Sequence, residues 1–246
     1  METLPRLPRL WLSTSGGLVY HLRAWRARRQ WAAFHAQVAA WLAAWAPERG
    51  RLVLVGPSAG YALPLGFLAR FDDVLALEPD PWARRALRRR PDGAHLRFSE
   101  ANVLATPEGL ARLTASAPDA AVLFCNVLGQ LDAPEGDWAG LLARHLAALP
   151  WASYHDAIST RLAPTRIQTL SAGSGRPMEK VLAHFWDQHL IEVVDHATWQ
   201  LAGPQGTDYA YALWPLRPGQ WHLVEWCSHR PPGPPAAPAK PAYSPR

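Results

Sequence analysis

At 246 residues, 49% of them apolar and 18% charged, the chain is long enough for one α/β domain with a large core and too short for two typical ones. A net charge of +5 raises a nucleic-acid partner through Arg-rich helices, but no lysine-rich tract or recognised nucleic-acid module accompanies those arginines. Two cysteines, Cys125 and Cys227, exclude a disulfide framework; with no signal-peptide run and no stretch of membrane-span length, a cytoplasmic location is expected, with no membrane partner.

Residues 1–18 read as irregular, with a turn at Ser15-Gly16-Gly17. From 19 to 46, Leu22, Trp25, Trp31, Phe34, Val38, Trp41, Leu42 and Trp45 recur mostly at helical steps, and Pro47 and Gly50 stop the helix. The all-apolar run 52–55 suits a central parallel strand covered on both faces. The turn Gly56-Pro57-Ser58-Ala59-Gly60 follows, and its glycines permit positive φ and the close approach of a ligand. Pro64, Leu65, Leu68 and Ala69 predict a helix next. A second buried strand, 74–77, ends at Glu78, where Pro79 and Pro81 stop pairing. A carboxylate at the C-terminal edge of a parallel sheet can accept hydrogen bonds from two ribose hydroxyls.

The rest alternates. Helices are expected at 82–90, from Thr106 to about Ser116, at 137–149 and at 178–188, and strands at 94–99, 120–126 and 151–159. That order argues for a parallel sheet with right-handed crossovers. Residues 160–177 read as a loop that can cover a site, and 190–201, 209–216 and 220–226 as strands whose turns suit antiparallel pairing. Residues 229–246, rich in proline and alanine, are expected to be a disordered tail. The arginines of 23–29 and 84–90 read as solvated helical faces, and the thirteen tryptophans as core and interface filling, with an aromatic substrate pocket as the sharper alternative.

Three motif readings meet at the glycine turn. No lysine follows at phosphate-loop spacing, and Ser58 and Tyr61 stand where a dinucleotide fingerprint has its second and third glycines. G-x-S-x-G does match, which would make Ser58 a hydrolase nucleophile, with Asp195 and His222 formally available as its acid and histidine. That fold places strands and an oxyanion loop before its elbow, whereas one long helix precedes this turn.

The turn 53–61 together with Glu78 resembles the class I S-adenosylmethionine-dependent methyltransferases, and the likeness covers roughly residues 52–226. It implies an α/β, Rossmann-like, doubly wound and mostly parallel sheet with C-terminal antiparallel strands and a leading N-terminal helix. The implied division is 1–50 for the N-terminal segment and helix, 51–228 for the methyltransferase-like domain and 229–246 for the tail. The implied cofactor is S-adenosylmethionine, held by Gly56, Ser58, Gly60, Glu78, Asn102 and Asn126, with 125–131 along its methionine end. The leading helix in such chains can border the substrate, making Tyr20, His21 and Arg23 contact candidates. The family's acid before the first glycine is Leu54 here and its middle glycine is Ser58, so a degenerate fold acting as a binding module is the alternative.

Methyl transfer is an in-line displacement that proximity and orientation can drive without a base. If a base is used, His155 is the candidate, oriented by Asp156 and beside a pocket-lining Tyr154; the alternative is that His155 and Asp156 cap the strand end. The chain lacks the Asn/Asp-Pro-Pro-aromatic string of enzymes acting on exocyclic or amide nitrogens and the Pro-Cys nucleophile of the cytosine-carbon enzymes, and His184 and His189 lie off one helical face, so no metal is expected. The expected acceptor is a small molecule.

Overall fold

In the computed structural model, which describes residues 17–187, 191–203 and 207–231, the strands join in one mixed sheet ordered β3-β2-β1-β4-β5-β9-β8-β6. Its parallel half comprises β1 (Arg51–Val55), β2 (Asp73–Leu77), β3 (Leu96–Ser99), β4 (Ala120–Cys125) and β5 (Trp151–Thr160). Every residue of β4 and the last four of β1 are buried, as central strands covered on both faces require. Antiparallel β8 (Thr207–Arg217) and β9 (Gln220–His229) complete it, with β9 inserted between β5 and β8.

Two apolar clusters sit on opposite faces of the sheet. One contains Val53, Val55, Val122 and Phe124 with residues of α3 (Pro107–Ser116), α4 (Trp138–His145) and α5 (Met178–Trp186). The other contains Leu52, Leu54, Ala121 and Leu123 with α1 (Gly17–Ala44) and Leu87 of α2 (Pro81–Arg88). Alternation along each strand divides the side chains this way, and the sheet is therefore doubly wound. The buried tryptophans are divided between the two faces, and those on the second hold α1. Trp31 is fully buried, packs edge-on to Trp214 at 5.0 Å and donates from Nε1 to the Pro215 carbonyl at 3.1 Å, while Phe34 stacks on Trp214 at 5.1 Å. Burial of two such side chains contributes about 1.5–3 kcal/mol each, which fixes α1 along β8.

Several expectations need correction. No α-helix follows the glycine turn: residues 61–67 are turns and bends, and only Leu68–Arg70 forms a single 3-10 turn. Gly66 at φ +82° breaks the helical path. Arg90 then supplies the partners a helix would have given, donating to the carbonyls of Gly60, Leu63 and Pro64 at 2.9–3.2 Å, while Asp92 accepts from Gly66 N and Leu68 N. The α2 arginines are thus not simply a solvated face, since Arg84 also pairs with Glu100 at 2.9 Å and Arg88 lies over Phe98. In place of a strand at 190–201 there is only β7 (Val194–Asp195), because Ala197 and Gln200 take left-handed φ values of 54° and 52°. The loop 160–177 contains a short strand, β6 (Leu170–Ala172), paired with β8. Strand β9 runs on to His229, which stacks on Trp151 at 5.9 Å. Residues 1–16 and most of the expected tail, 232–246, lie outside the described residues.

Candidate functional site

The C-terminal ends of β1, β2 and β4 open into a cavity of about 400 Å³ roofed by α1. Gly56, Ser58, Glu78, Asn102 and Asn126 all line it. Gly60 does not; at φ +71° it turns the chain beneath the cavity, where a Cβ would press on Leu87 at 2.8 Å. Glu78, 5% exposed, accepts from Ser58 N through Oε2 at 2.8 Å and from Asp80 N through Oε1 at 2.9 Å. Burial pushes its carboxyl up to about 7 against the pull of those two N–H groups. Each oxygen keeps a second lone pair for a hydroxyl donor. Ser58 itself has φ 51°, a conformation that favours glycine. Asn102 closes a local turn by accepting from Leu104 N at 3.1 Å.

The start of α1 is fastened over this cavity. Asp80 Oδ2 receives Gly17 N at 3.1 Å and pairs with His21 Nε2 at 2.8 Å, and His21 Nδ1 meets the Tyr61 hydroxyl at 2.7 Å. His21 therefore contacts protein, whereas Tyr20 faces the cavity with a phenol that burial pushes up. His35 also lines it, lowered to about 4 by burial and so neutral at neutral pH. Burial pushes the Cys125 thiol up to about 12, which removes it as a thiolate nucleophile.

Of the three residues named on β5, Tyr154 lines this cavity, Asp156 lines a second one, and His155 lines neither. Three consecutive strand residues cannot share a face. His155 is fully buried on the opposite side, bonded to Ser153 Oγ and to the Thr198 carbonyl, both at 2.8 Å, and 3.4 Å from Glu225, its cross-strand neighbour. The expected base is thus an anchor for the segment after β7.

The second cavity, about 650 Å³, adjoins the first and shares Tyr20, Gln130, Leu131 and Trp214 with it. Asp156, His196 and His222 line it, as does Arg23. Asp156 Oδ2 is 3.1 Å from His222 Nδ1 and 3.4 Å from Asn126 Nδ2, and the Asp156 N–H donates to Asn126 Oδ1 at 2.9 Å. His196 stacks on His222 at 5.9 Å, and burial lowers its pKa. Gly129 is needed here, because a Cβ would overlap the Asp156 carbonyl oxygen. Sequence reading named His222 only as a hydrolase histidine and missed His196; β9 is antiparallel and distant in sequence, so nothing local signals the pairing with β5.

Ser58 and His222 line different cavities, and among the described residues no histidine hydrogen-bonds the Ser58 hydroxyl. No helix among the described residues is long and apolar enough to cross a membrane.

No family model matches the chain, and no curated protein does. Solved structures with a similar arrangement include the DhpI-SAM-HEP complex, at 14% identity and a TM-score of 0.43, covering 86% of this chain and 94% of that one. The glycopeptide N-methyltransferase MtfA complexed with S-adenosyl-L-methionine has 14% identity and a TM-score of 0.42, covering 80% and 94%. A SAM-dependent methyltransferase from Anabaena variabilis has 18% identity and a TM-score of 0.39, covering 73% and 77%. With the glycine turn after β1, the acid after β2 and a parallel sheet completed by the β8–β9 hairpin, the chain has a doubly wound, Rossmann-like fold.

Proposed function

We propose that the protein transfers a methyl group from S-adenosylmethionine, held in the first cavity, to a small-molecule acceptor. The observation that carries this is the convergence of Glu78, the Gly56–Ser58 backbone, Asn102 and Asn126 on one cavity at the C-terminal edge of the parallel strands, where such sheets bind nucleoside-like ligands. Its volume lies within the range of small-molecule sites. Glu78 retains lone pairs for ribose hydroxyls, and Asn102 offers an amide at the adenine end. S-adenosylmethionine supplies an electrophilic methyl on a sulfonium, so the protein's own task is to hold the two reactants in line and exclude water. Tyr20 and Trp214, which line both cavities, border the passage between reactant sites.

Calorimetric titration with S-adenosylhomocysteine tests this. Micromolar binding that Glu78→Ala loses is expected, and no binding by the unsubstituted protein would sink the reading. The hydrolase reading lacks both a histidine on Ser58 and a helix after the turn. The binding-module reading separates from the enzyme by transfer of a radiolabelled methyl group into a small-molecule fraction.

A further inference from the structure

The first cavity has two unlike walls. Gly56, Ser58, Glu78, Asp80, Asn102 and Asn126 form the polar one at the ends of β1, β2 and β4 and just after β3. The other is formed by Tyr20, Phe34 and His35 of α1, Tyr154 of β5 and Trp214 of β8, and each of these side chains carries a ring. The sheet order puts β5 and β8 beyond β4, on the side away from β2 and β3, so the ring wall lies at the opposite end from Asn102. The core holds it in place. Phe34 stacks on Trp214 at 5.1 Å, and Tyr154 stacks on Trp226 at 6.5 Å. Tyr20 and Trp214 also line the second cavity, so the ring wall runs on into the passage between the two.

No charge lies on this wall. Among the described residues the charged ones lining the cavity are Glu78 and Asp80, both on the polar side, and Asp80 is already engaged by Gly17 N, His21 and Trp82 N. Burial pushes the Tyr20 and Tyr154 phenols up and lowers His35 to about 4, so all three are neutral at pH 7. A charged ligand group set against them would find no counter-charge, and an unpaired buried charge is costly. His35 is the polar group left without a partner. Burial alone shifts it, no hydrogen bond among the described residues reaches its ring, and the ring is only half-buried, with neither nitrogen enclosed by protein. A neutral imidazole offers one accepting and one donating nitrogen. Rings favour a planar ring laid against them. A phenol, whose proton leaves only near pH 10, is such a ring and carries an uncharged oxygen nucleophile. The cavity's volume of about 400 Å³, shared with the cofactor, leaves room at this wall for a small compound.

We propose that the ring wall is the methyl acceptor's side of the first cavity and takes an uncharged, single-ring phenol whose hydroxyl donates to His35, an inference that rests on the methyltransferase reading above. The aromatic side chains supply the contact area for the ring. His35 supplies the selection between a phenol and a hydrocarbon of the same shape. The missing counter-charge supplies the selection against an amine or an acid on the same skeleton.

The test uses the full chain, with and without S-adenosylhomocysteine, and four probes: 4-methylphenol, toluene, tyramine and 4-hydroxyphenylacetate. Calorimetry measures each probe, and soaked crystals locate it. 4-Methylphenol is expected against the ring wall beside bound S-adenosylhomocysteine, its hydroxyl within hydrogen-bond distance of a His35 nitrogen. It should bind about tenfold more tightly than toluene, as one hydrogen bond allows, and at least about tenfold more tightly than the cationic and anionic probes. His35→Phe keeps a ring and should bring 4-methylphenol and toluene to within about twofold of each other. His35→Gln keeps a hydrogen-bonding group and should restore part of the preference. S-adenosylhomocysteine affinity held within about threefold shows that both variants are folded. A charged probe or toluene binding as well as 4-methylphenol, a phenol bound elsewhere or not at all, or an unchanged preference in His35→Phe overturns the proposal. So does displacement of 4-methylphenol by S-adenosylhomocysteine, which would assign the wall to the cofactor. 4-Methylphenol bound at the wall by a protein that does not bind S-adenosylhomocysteine overturns the methyltransferase reading instead.

Discussion

Replacing Glu78 by glutamine reads the electrostatics of the first cavity directly. The carboxyl rises from the ordinary glutamate value of 4.5 to about 7, mainly because burial penalises its charge. A folded value above the unfolded one means that its stabilising contribution is complete below pH 4.5 and is lost as pH rises through 7. A shift of that size corresponds to about 3 kcal/mol across the window. Glutamine keeps the shape, does not titrate, and turns an amide nitrogen toward either Ser58 N–H or Asp80 N–H, a pH-independent loss of about 1–3 kcal/mol. The difference in stability between the two proteins should therefore move by about 3 kcal/mol in favour of Glu78→Gln between pH 4.5 and 8. For a chain of this size that is a relative melting-temperature change of about 6–12 °C. Thermal unfolding by circular dichroism at half-unit pH steps measures it, and taking the difference cancels every other titrating group. A gap between wild type and variant that stays constant over this range would show that Glu78 is not desolvated. The same carboxylate must be ionised to accept two ribose hydroxyls, so S-adenosylhomocysteine binding at pH 6 should release protons, seen as a binding enthalpy that varies with the buffer's heat of ionisation.

Ser58→Gly removes a side chain from a left-handed position; the relieved strain and the added unfolded-state entropy each amount to about 1 kcal/mol and oppose one another. Stability in urea should change little, and S-adenosylhomocysteine affinity should hold within threefold. A hydrolase would lose all activity. Gly129→Ala drives a Cβ into the Asp156 carbonyl oxygen and should destabilise by about 1–3 kcal/mol in a urea melt. Arg90→Lys keeps the charge but not the planar fork that spans Gly60, Leu63, Pro64 and Asp92. We expect a loss of about 2–4 kcal/mol and weaker S-adenosylhomocysteine binding, measured by thermal shift and calorimetry.

The parallel half of the fold was legible because its strands are short apolar runs bounded by glycine, proline and acid, and such runs fit few places other than a covered sheet. The unbroken burial of 120–125 is a property of composition, and the ordering of 52–55 against 74–77 follows from the right-handed crossover. The segment after the turn was not legible. Pro64, Leu65, Leu68 and Ala69 have helical spacing, but what shapes 60–70 is a guanidinium and a carboxylate arriving from residues 90 and 92. Likewise Val193, Val194 and Trp199 resemble a strand locally, and the hydrogen bond from Thr198 to the Asp156 carbonyl, 42 residues away, bends them out of one.

The site divided in the same way, and β5 shows why. Read as a string, Tyr154-His155-Asp156 offers an aromatic ring, a base and an acid together. Folded as a strand, it sends them to opposite faces. The face carrying Tyr154 and Asp156 looks toward α1 and the cavities, while His155 meets Glu225 beneath the 196–200 segment. Both faces serve one end. A register shift after Asp156 offsets β5 against β9, and His222 of β9 comes within 3.1 Å of the Asp156 carboxylate while Ser159 is its ladder partner. The same strand thus holds the second cavity's carboxylate on one side and, through His155, the strained segment carrying His196 on the other. A histidine does stand beside the Asp156 carboxylate. Which histidine stands there is decided by a bulge and by an antiparallel neighbour 66 residues further along the chain, neither of which leaves a mark on 154–156.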